Sequence, residues 1–99
     1  MPFEIILAPE ANADLRGIRA FHRSEILDAI DAHLQYAPTN LSRSRIKRLR
    51  LIDSPAYRLR VGDYRVYYDV NEDAQTVNIL RVIHKGDSAR YLGEAGGDS

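Results

Sequence analysis

The sequence predicts an α+β fold, with two N-terminal helices packed on a mainly antiparallel sheet of four to five strands. Three observations carry this reading. The stretch "YRLRVGDYRVYY", Tyr57 to Tyr68, alternates apolar and polar residues on either side of Gly62-Asp63, the pattern of a two-residue hairpin. Between residues 25 and 37, "EILDAIDAHLQYA" places Ile26, Ile30, His33, Leu34 and Ala37 on one helical stripe bordered by Leu27. The run "TVNILRVIH", residues 76–84, is rich in the β-branched residues that suit a strand.

The elements follow in chain order. "FEIILA" (Phe3–Ala8) is a short apolar run of strand type. Pro9 suits the first turn of a helix, and "EANADLRGIRA" continues it with Leu15 and Ile18 at helical spacing, weakened by Gly17. Ser24 is a candidate N-cap for the second helix, which is also able to start earlier, and Pro38-Thr39-Asn40 ends it. "SRSRIKRLRLI" then alternates weakly and reads as a basic strand, with Asp53-Ser54-Pro55 as the turn before the hairpin. After the hairpin, "NEDAQ" turns the chain into its last strand. The order β-α-α-β-β-β-β stacks helices on one face of the sheet. Residues 1–92 form one domain on this reading, and the Gly-rich "GEAGGDS" at 93–99 is expected to be a disordered tail.

Composition narrows the function classes. Ninety-nine residues allow one core, and the absence of cysteine excludes disulfides and thiolate metal sites. No apolar run approaches the ~20 residues that span a bilayer. "MPFEIILAPE" lacks the basic start of a secretory signal, so the expectation is a cytoplasmic protein with no membrane partner. No Gly-rich phosphate loop is present, and His22 and His33 on one continuous helix would sit about 16 Å apart, too far to share a metal. No metal or cofactor is expected.

The net charge is zero, yet the charge is segregated. Residues 1–42 and 66–99 each carry −3, whereas residues 43–65 carry +6, from Arg43, Arg45, Lys47, Arg48, Arg50, Arg58, Arg60 and Arg65 against Asp53 and Asp63. A basic block of this kind can make the phosphate contacts that dominate nucleic-acid affinity, or can be a solvated face. The hairpin register sharpens the choice. With Gly62-Asp63 as the turn, Val61 faces Tyr64, Arg60 faces Arg65, Leu59 faces Val66, and Arg58 faces Tyr67. Three guanidiniums then share one sheet face with Tyr67, and they repel one another unless an anion lies among them. Tyr67 is either a cross-strand packing partner or a platform for a base, while Tyr68, on the Leu59 face, belongs to the core.

RNA phosphodiester cleavage needs a group to take the 2′-hydroxyl proton, a group to hold charge on the phosphate, and a group to protonate the leaving 5′-oxygen. Arginine suits the middle task because its planar fork grips phosphate oxygens and stays protonated. Histidine suits proton transfer near neutral pH. In "RVIHKGDSARY", His84, Lys85 and Tyr91 follow the last strand, where they can run beside the arginine hairpin. A lone histidine is also an ordinary surface or core residue.

"YRLRVGDYRVYYDV" followed by "ILRVIHKGDSARYL" closely resembles the RelE/ParE superfamily of bacterial and archaeal toxin–antitoxin toxins, and its RelE branch in particular. "FEIILAPEANADL" is similar to the family's first strand and helix, and "SRIKRL" to its basic second strand, so the resemblance spans about residues 3–92. It implies two helices on a four-stranded antiparallel sheet, one strand fewer than the residues themselves indicate. It further implies a ribosome-dependent mRNA endonuclease, held in check by a cognate antitoxin and cutting without metal by attack of the 2′-hydroxyl on its own phosphate. Arg65 matches the arginine of the second hairpin strand, Arg58 and Arg60 stand where RelE toxins often carry lysine, and Lys85 matches a basic position after the last strand. His84 matches a histidine of some branches, and Tyr91 a C-terminal tyrosine credited with stacking or proton transfer. The resemblance thus makes Arg65, Tyr91, His84, Lys85 and Arg60 the candidate catalytic set. Arg58, Arg60, Tyr67, Arg45, Lys47 and Arg48 are the candidate RNA-binding set. An arginine in place of a basic lysine cannot take a proton, which leaves that step to Tyr91, His84 or Lys85. Two other functions fit the same likeness: a ParE-like poison of DNA gyrase, and a degenerate toxin serving only as a complex subunit.

Overall fold

The computed structural model describes residues 2–95. Its elements are β1 (Glu4–Leu7), α1 (Pro9–Arg16), α2 (Ala20–Leu34), β2 (Ile46–Arg48), β3 (Tyr57–Val61), β4 (Tyr64–Asn71), β5 (Thr76–His84), a 3₁₀ turn (Lys85–Asp87) and α3 (Ser88–Ala95). The five strands form one sheet in the order β1-β5-β4-β3-β2, antiparallel except for β1, which runs parallel to β5. The five-strand reading therefore holds, with one parallel pair at the edge made possible by the two-helix crossover between β1 and the rest.

The hairpin register is the one the alternation predicts, with Arg60 opposite Arg65, Leu59 opposite Val66 and Arg58 opposite Tyr67. Gly62 makes the turn at φ +57°, in the left-handed region that a residue without Cβ enters at no steric cost. Leu59, Val61, Val66 and Tyr68 are thereby buried against Ile26, Ile30 and Leu34 of α2 and Ala11 and Leu15 of α1. On β5 the buried Val77 and Ile79 are followed by Val82 rather than residue 81, a break in alternation. A bulge between the Tyr67 and Tyr68 pairings absorbs it, since Tyr68 faces Ile79 and Tyr67 faces Arg81, leaving Leu80 as the extra residue.

Several boundaries differ from the sequence expectation, beginning with α2, which ends at Leu34 and so leaves Ala37 outside the helix and exposed. The second helix begins at Ala20 with Arg19 at the N-cap and no side-chain cap, so Ser24 lies inside it. The basic strand shrinks to three residues, because Arg48 donates to the carbonyls of Leu49 and Ala56 and the chain then enters a loop in which Leu51 adopts φ +64°. The region after β5 is a 3₁₀ turn and a helix, not a strand end and tail. His84 caps the turn by accepting from the Gly86 N–H through Nδ1. The helix runs to Ala95, so residues 93–95 of the expected disordered tail are helical, and 96–99 lie outside the described residues. Among the described residues, no helix is long and apolar enough to cross a membrane.

Tyr68 is fully buried, stacks on Tyr57 with ring centroids 5.5 Å apart, and donates to the Pro38 carbonyl at 2.6 Å. Burial holds its phenol well above the usual range, so it stays a donor. Tyr68→Phe leaves that carbonyl unpaired inside the protein, and a loss of about 1–3 kcal/mol in unfolding free energy is expected in urea titrations.

Candidate nucleic-acid interface

The sheet face opposite α1 and α2 carries a cavity of about 760 Å³, lined by Lys47, Arg48, Leu49, Arg50, Arg58, Arg65, Tyr67, Lys85, Ser88, Ala89 and Leu92. Six of these residues are basic and none is acidic. Strand alternation brings Arg58 and Arg65 here from the hairpin and Lys47 from β2, whose partner across the sheet is Arg58. The 3₁₀ turn delivers Lys85, and α3 delivers Ser88, Ala89 and Leu92 as a wall.

The cations are held differently. Arg65 donates through Nη1 to the Gly62 and Tyr64 carbonyls at 2.9 Å each, which fixes its head beside the turn. Lys85 reaches the Asp63 carboxylate at 3.3 Å while its N–H bonds the Asp63 carbonyl at 2.7 Å, and the ammonium holds the Asp63 carboxyl below its ordinary range. Arg48 spends its guanidinium on the Leu49 and Ala56 carbonyls and lies 5.4 Å from the centre of the Tyr57 ring. Arg58 has no such anchor. Its Nε is buried with no hydrogen-bond partner. Burial, followed by the charges of Arg65 and Arg60, weakens its hold on its proton, with the Tyr67 hydroxyl opposing. Among the described residues, Lys85 is the one cavity cation paired with a carboxylate. An anion seated between Arg58 and Arg65 would satisfy the orphaned N–H and offset the repulsion.

Arg58, Arg65, Lys85, Tyr67, Lys47 and Arg48 of the sequence candidates are thus brought together around one cavity. The other candidates are placed elsewhere. Arg60 is exposed and outside the cavity, its N–H bonded to the Arg45 carbonyl. Arg45 turns around the edge of the sheet to the end of α2, where its Nη1 meets His33 Nε2 at 2.8 Å. His84 lies opposite Tyr64, on the side of the sheet that faces the helices, with its ring edge-on to Tyr64 at 5.6 Å. His22 of α2 packs on the same Tyr64 ring, also at 5.6 Å. Tyr91 packs against Tyr67 at 5.1 Å and lines a separate hollow with Arg81 and Arg90. Its phenol is raised by burial, with Arg81 opposing that shift. Sequence reasoning did not single out Arg50, Leu49 or the α3 residues as cavity lining. Arg50 belongs to the basic run, whereas the α3 residues have no signal beyond the spacing of Ala89 and Leu92.

Comparison with known proteins bears on most of the chain. Residues 5–89 match the family model of the ParE toxin of type II toxin–antitoxin system, parDE. Among solved structures, the chain is similar to one in the RelBE2 toxin–antitoxin complex of Mycobacterium tuberculosis, with a TM-score of 0.72 and 26% identity over 85% of this chain and 99% of that one. It is also similar to one in the archaeal RelE–RelB complex of Pyrococcus horikoshii, with a TM-score of 0.71 and 26% identity over 87% and 98%. The free-state structure of a mutant E. coli toxin RelE shares the fold, with a TM-score of 0.70 at 20% identity over 96% and 95%. No curated protein sequence matches the chain.

The His33–Arg45 contact generates a pH prediction. Burial and then the Arg45 charge lower the His33 pKa below 6.5, so the folded chain binds this proton less readily than the unfolded chain. Its stabilising contribution is complete above the unfolded pKa of ~6.5 and is lost as pH falls through the folded value. The thermal midpoint of the wild type should therefore decline from pH 7 into the acid range, and His33→Gln should flatten the part of that decline that begins near pH ~6.5.

Proposed function

We propose, from the premise that the chain belongs to the ParE toxin family of type II toxin–antitoxin systems, within the RelE/ParE superfamily, that this toxin is a metal-independent endoribonuclease acting on mRNA at the ribosome. The observation that carries the reading is the cation-lined cavity with an unpartnered Arg58 Nε at its wall. Arg58, Arg65 and Lys85 hold the scissile phosphate there. The substrate 2′-oxygen attacks phosphorus as the bond from phosphorus to the 5′-oxygen breaks, giving a 2′,3′-cyclic phosphate and a free 5′-hydroxyl. The arginines stabilise the charge that builds on the equatorial oxygens between these events.

Neither arginine can take the 2′-hydroxyl proton, which passes to solvent at the mouth of the cavity as the 2′-oxygen attacks. Tyr91, kept neutral by burial, is the candidate donor to the leaving oxygen, and it reaches the cavity region through its contact with Tyr67. His84 is further removed, since its ring rests on Tyr64 on the helix side. Its substitution by Gln should accordingly cost less than the loss of Arg65. Lys47 and Arg50 extend the basic surface along the RNA backbone, so association should weaken steeply with salt.

A second reading has support of its own. The matching family model is that of ParE, and the rings of His84 and Tyr91 do not line the cavity. Inhibition of DNA gyrase by binding alone would need no proton-transfer groups in place. Single-turnover cleavage of mRNA on programmed ribosomes, run beside a gyrase supercoiling assay, separates the two. Arg65→Ala and Arg58→Ala should each slow cleavage by about 10²–10³ with the fold intact. Gyrase inhibition by a wild type that leaves mRNA uncut would overturn the nuclease reading.

The partner follows from the same surface. We expect the cognate antitoxin to offer a segment with acidic and apolar residues, because the cavity joins six cations to Leu49, Ala89 and Leu92. Co-expression with a small acidic protein from the adjacent reading frame should yield a complex in pull-down at low salt. Arg58→Glu should weaken that complex.

A further inference from the structure

We infer that Asp14 and Arg81 are positioning residues for the cavity: by clamping the Tyr91 ring, they dock α3 as its wall. The inference rests on the cavity being the binding site proposed above, and its geometry begins with α3 itself. That helix has eight residues, none of them buried, and a helix so short does not persist without tertiary contacts. It nevertheless supplies Ser88, Ala89 and Leu92 to the cavity. Its aromatic anchor is Tyr91, packed between two partners. One is the Tyr67 ring, which also lines the cavity, and the other is the Arg81 guanidinium, 5.3 Å from the Tyr91 ring centre.

Arg81 is itself held from a distant part of the chain. Its Nε donates to Asp14 Oδ2 at 2.7 Å and its Nη2 to Asp14 Oδ1 at 3.1 Å, a two-point fork that fixes the plane of the guanidinium. Asp14 is fixed in turn by the β5 edge. β1 pairs with β5 only as far as Ile79, so the Val82 N–H beyond it has no strand partner and donates to Asp14 Oδ2 at 2.9 Å. The carboxylate thus substitutes for the missing strand while aligning Arg81. The Asp14 contact also strengthens Arg81's hold on its proton. The path runs from the β5 edge through Asp14, Arg81 and Tyr91 to the wall of the cavity. Lys85, by contrast, is tied to the hairpin turn through Asp63 and does not need the clamp.

The test uses the full chain, with hydrogen exchange of amides 88–95 and binding of an uncleavable 2′-O-methyl oligoribonucleotide as separate readouts. Arg81→Ala should speed exchange across α3 by about tenfold, the scale of a partly desolvated cation–π contact. Core amides such as Val66 should stay protected, which a general loss of stability would not allow. Affinity for the oligoribonucleotide should fall about fivefold. Tyr91→Ala should do the same, Tyr91→Phe should leave α3 exchange at the wild-type rate because the ring remains, and the Arg81→Ala, Tyr91→Ala double variant should be no worse than either single one. Should Arg81→Ala not fold, Arg81→Lys keeps the charge beside Asp14 but loses the flat fork, and α3 exchange should still rise. Wild-type exchange in α3 of the Arg81 variant, or additive effects in the double variant, would overturn the inference. A wild type that ignores the oligoribonucleotide defeats the RNA reading of the cavity, while the α3 exchange still decides the clamp.

Discussion

The two-residue turn at Gly62-Asp63 constrains everything else in this protein. It sets the pairing of β3 with β4, and pairing in a sheet has a period of two, so a slip of one residue would exchange the two faces. In the observed register, Leu59, Val66 and Tyr68 complete the core under α2, and Arg58, Arg60 and Arg65 stand away from it. The alternative register would bury three guanidiniums beneath two helices, a desolvation cost that no carboxylate there offsets. Burial and charge separation are thus satisfied by the same turn. The stability of the core and the composition of the cationic face cannot be varied independently.

That face carries an electrostatic cost. Arg58 and Arg65 are half-buried near one another, and each is without a carboxylate among the described residues. Arg65 is retained by the carbonyls of its own turn, which draw its charge without neutralising it. Arg58 keeps an unpaired Nε. Native proteins pair the great majority of their buried polar groups, and the exceptions concentrate at sites that meet a ligand. The acidic residues that bring the total charge to zero lie elsewhere in the chain, and none of them lines the cavity. Segregation of charge, rather than its sum, gives the surface its chemistry.

Around this hairpin the rest of the sheet acts as a frame. Alternation along β4 buries Tyr67 and Tyr68 on opposite faces, one under α3 and one in the core, and β5 closes the far side of β4 with Leu80 as an extra, bulged residue. β1 covers only part of the β5 edge, and Asp14 completes it. The two His rings on Tyr64 pack the end of the sheet near the turn, so His84 belongs to the frame as much as to the site.

The sequence by itself determined the elements whose signal is local. Alternation fixes the faces of Tyr57–Val61 and Tyr64–Tyr68, glycine marks the turn, and the Ile26, Ile30, Leu34 spacing marks the buried stripe of α2. Those features were legible because each depends on neighbours within a few residues. The membership of the cavity was legible in part: Arg58, Arg65 and Tyr67 follow from the hairpin register, whereas the sequence marks Lys47 only as part of the basic block and its place opposite Arg58 comes from the sheet. Only the tertiary structure decided the rest. Arg45 leaves the basic face because it sits at the end of an edge strand and finds His33. His84 takes the helix side because the bulge at Leu80 shifts the parity of β5. The helix Ser88–Ala95 escaped notice because it is short and buries no residue, and its docking depends on Arg81 and on Asp14, which lies 67 positions from Arg81 in the chain. No short-range pattern encodes that ion pair, since the cost of bringing its halves together is borne by the folding of the whole sheet between them.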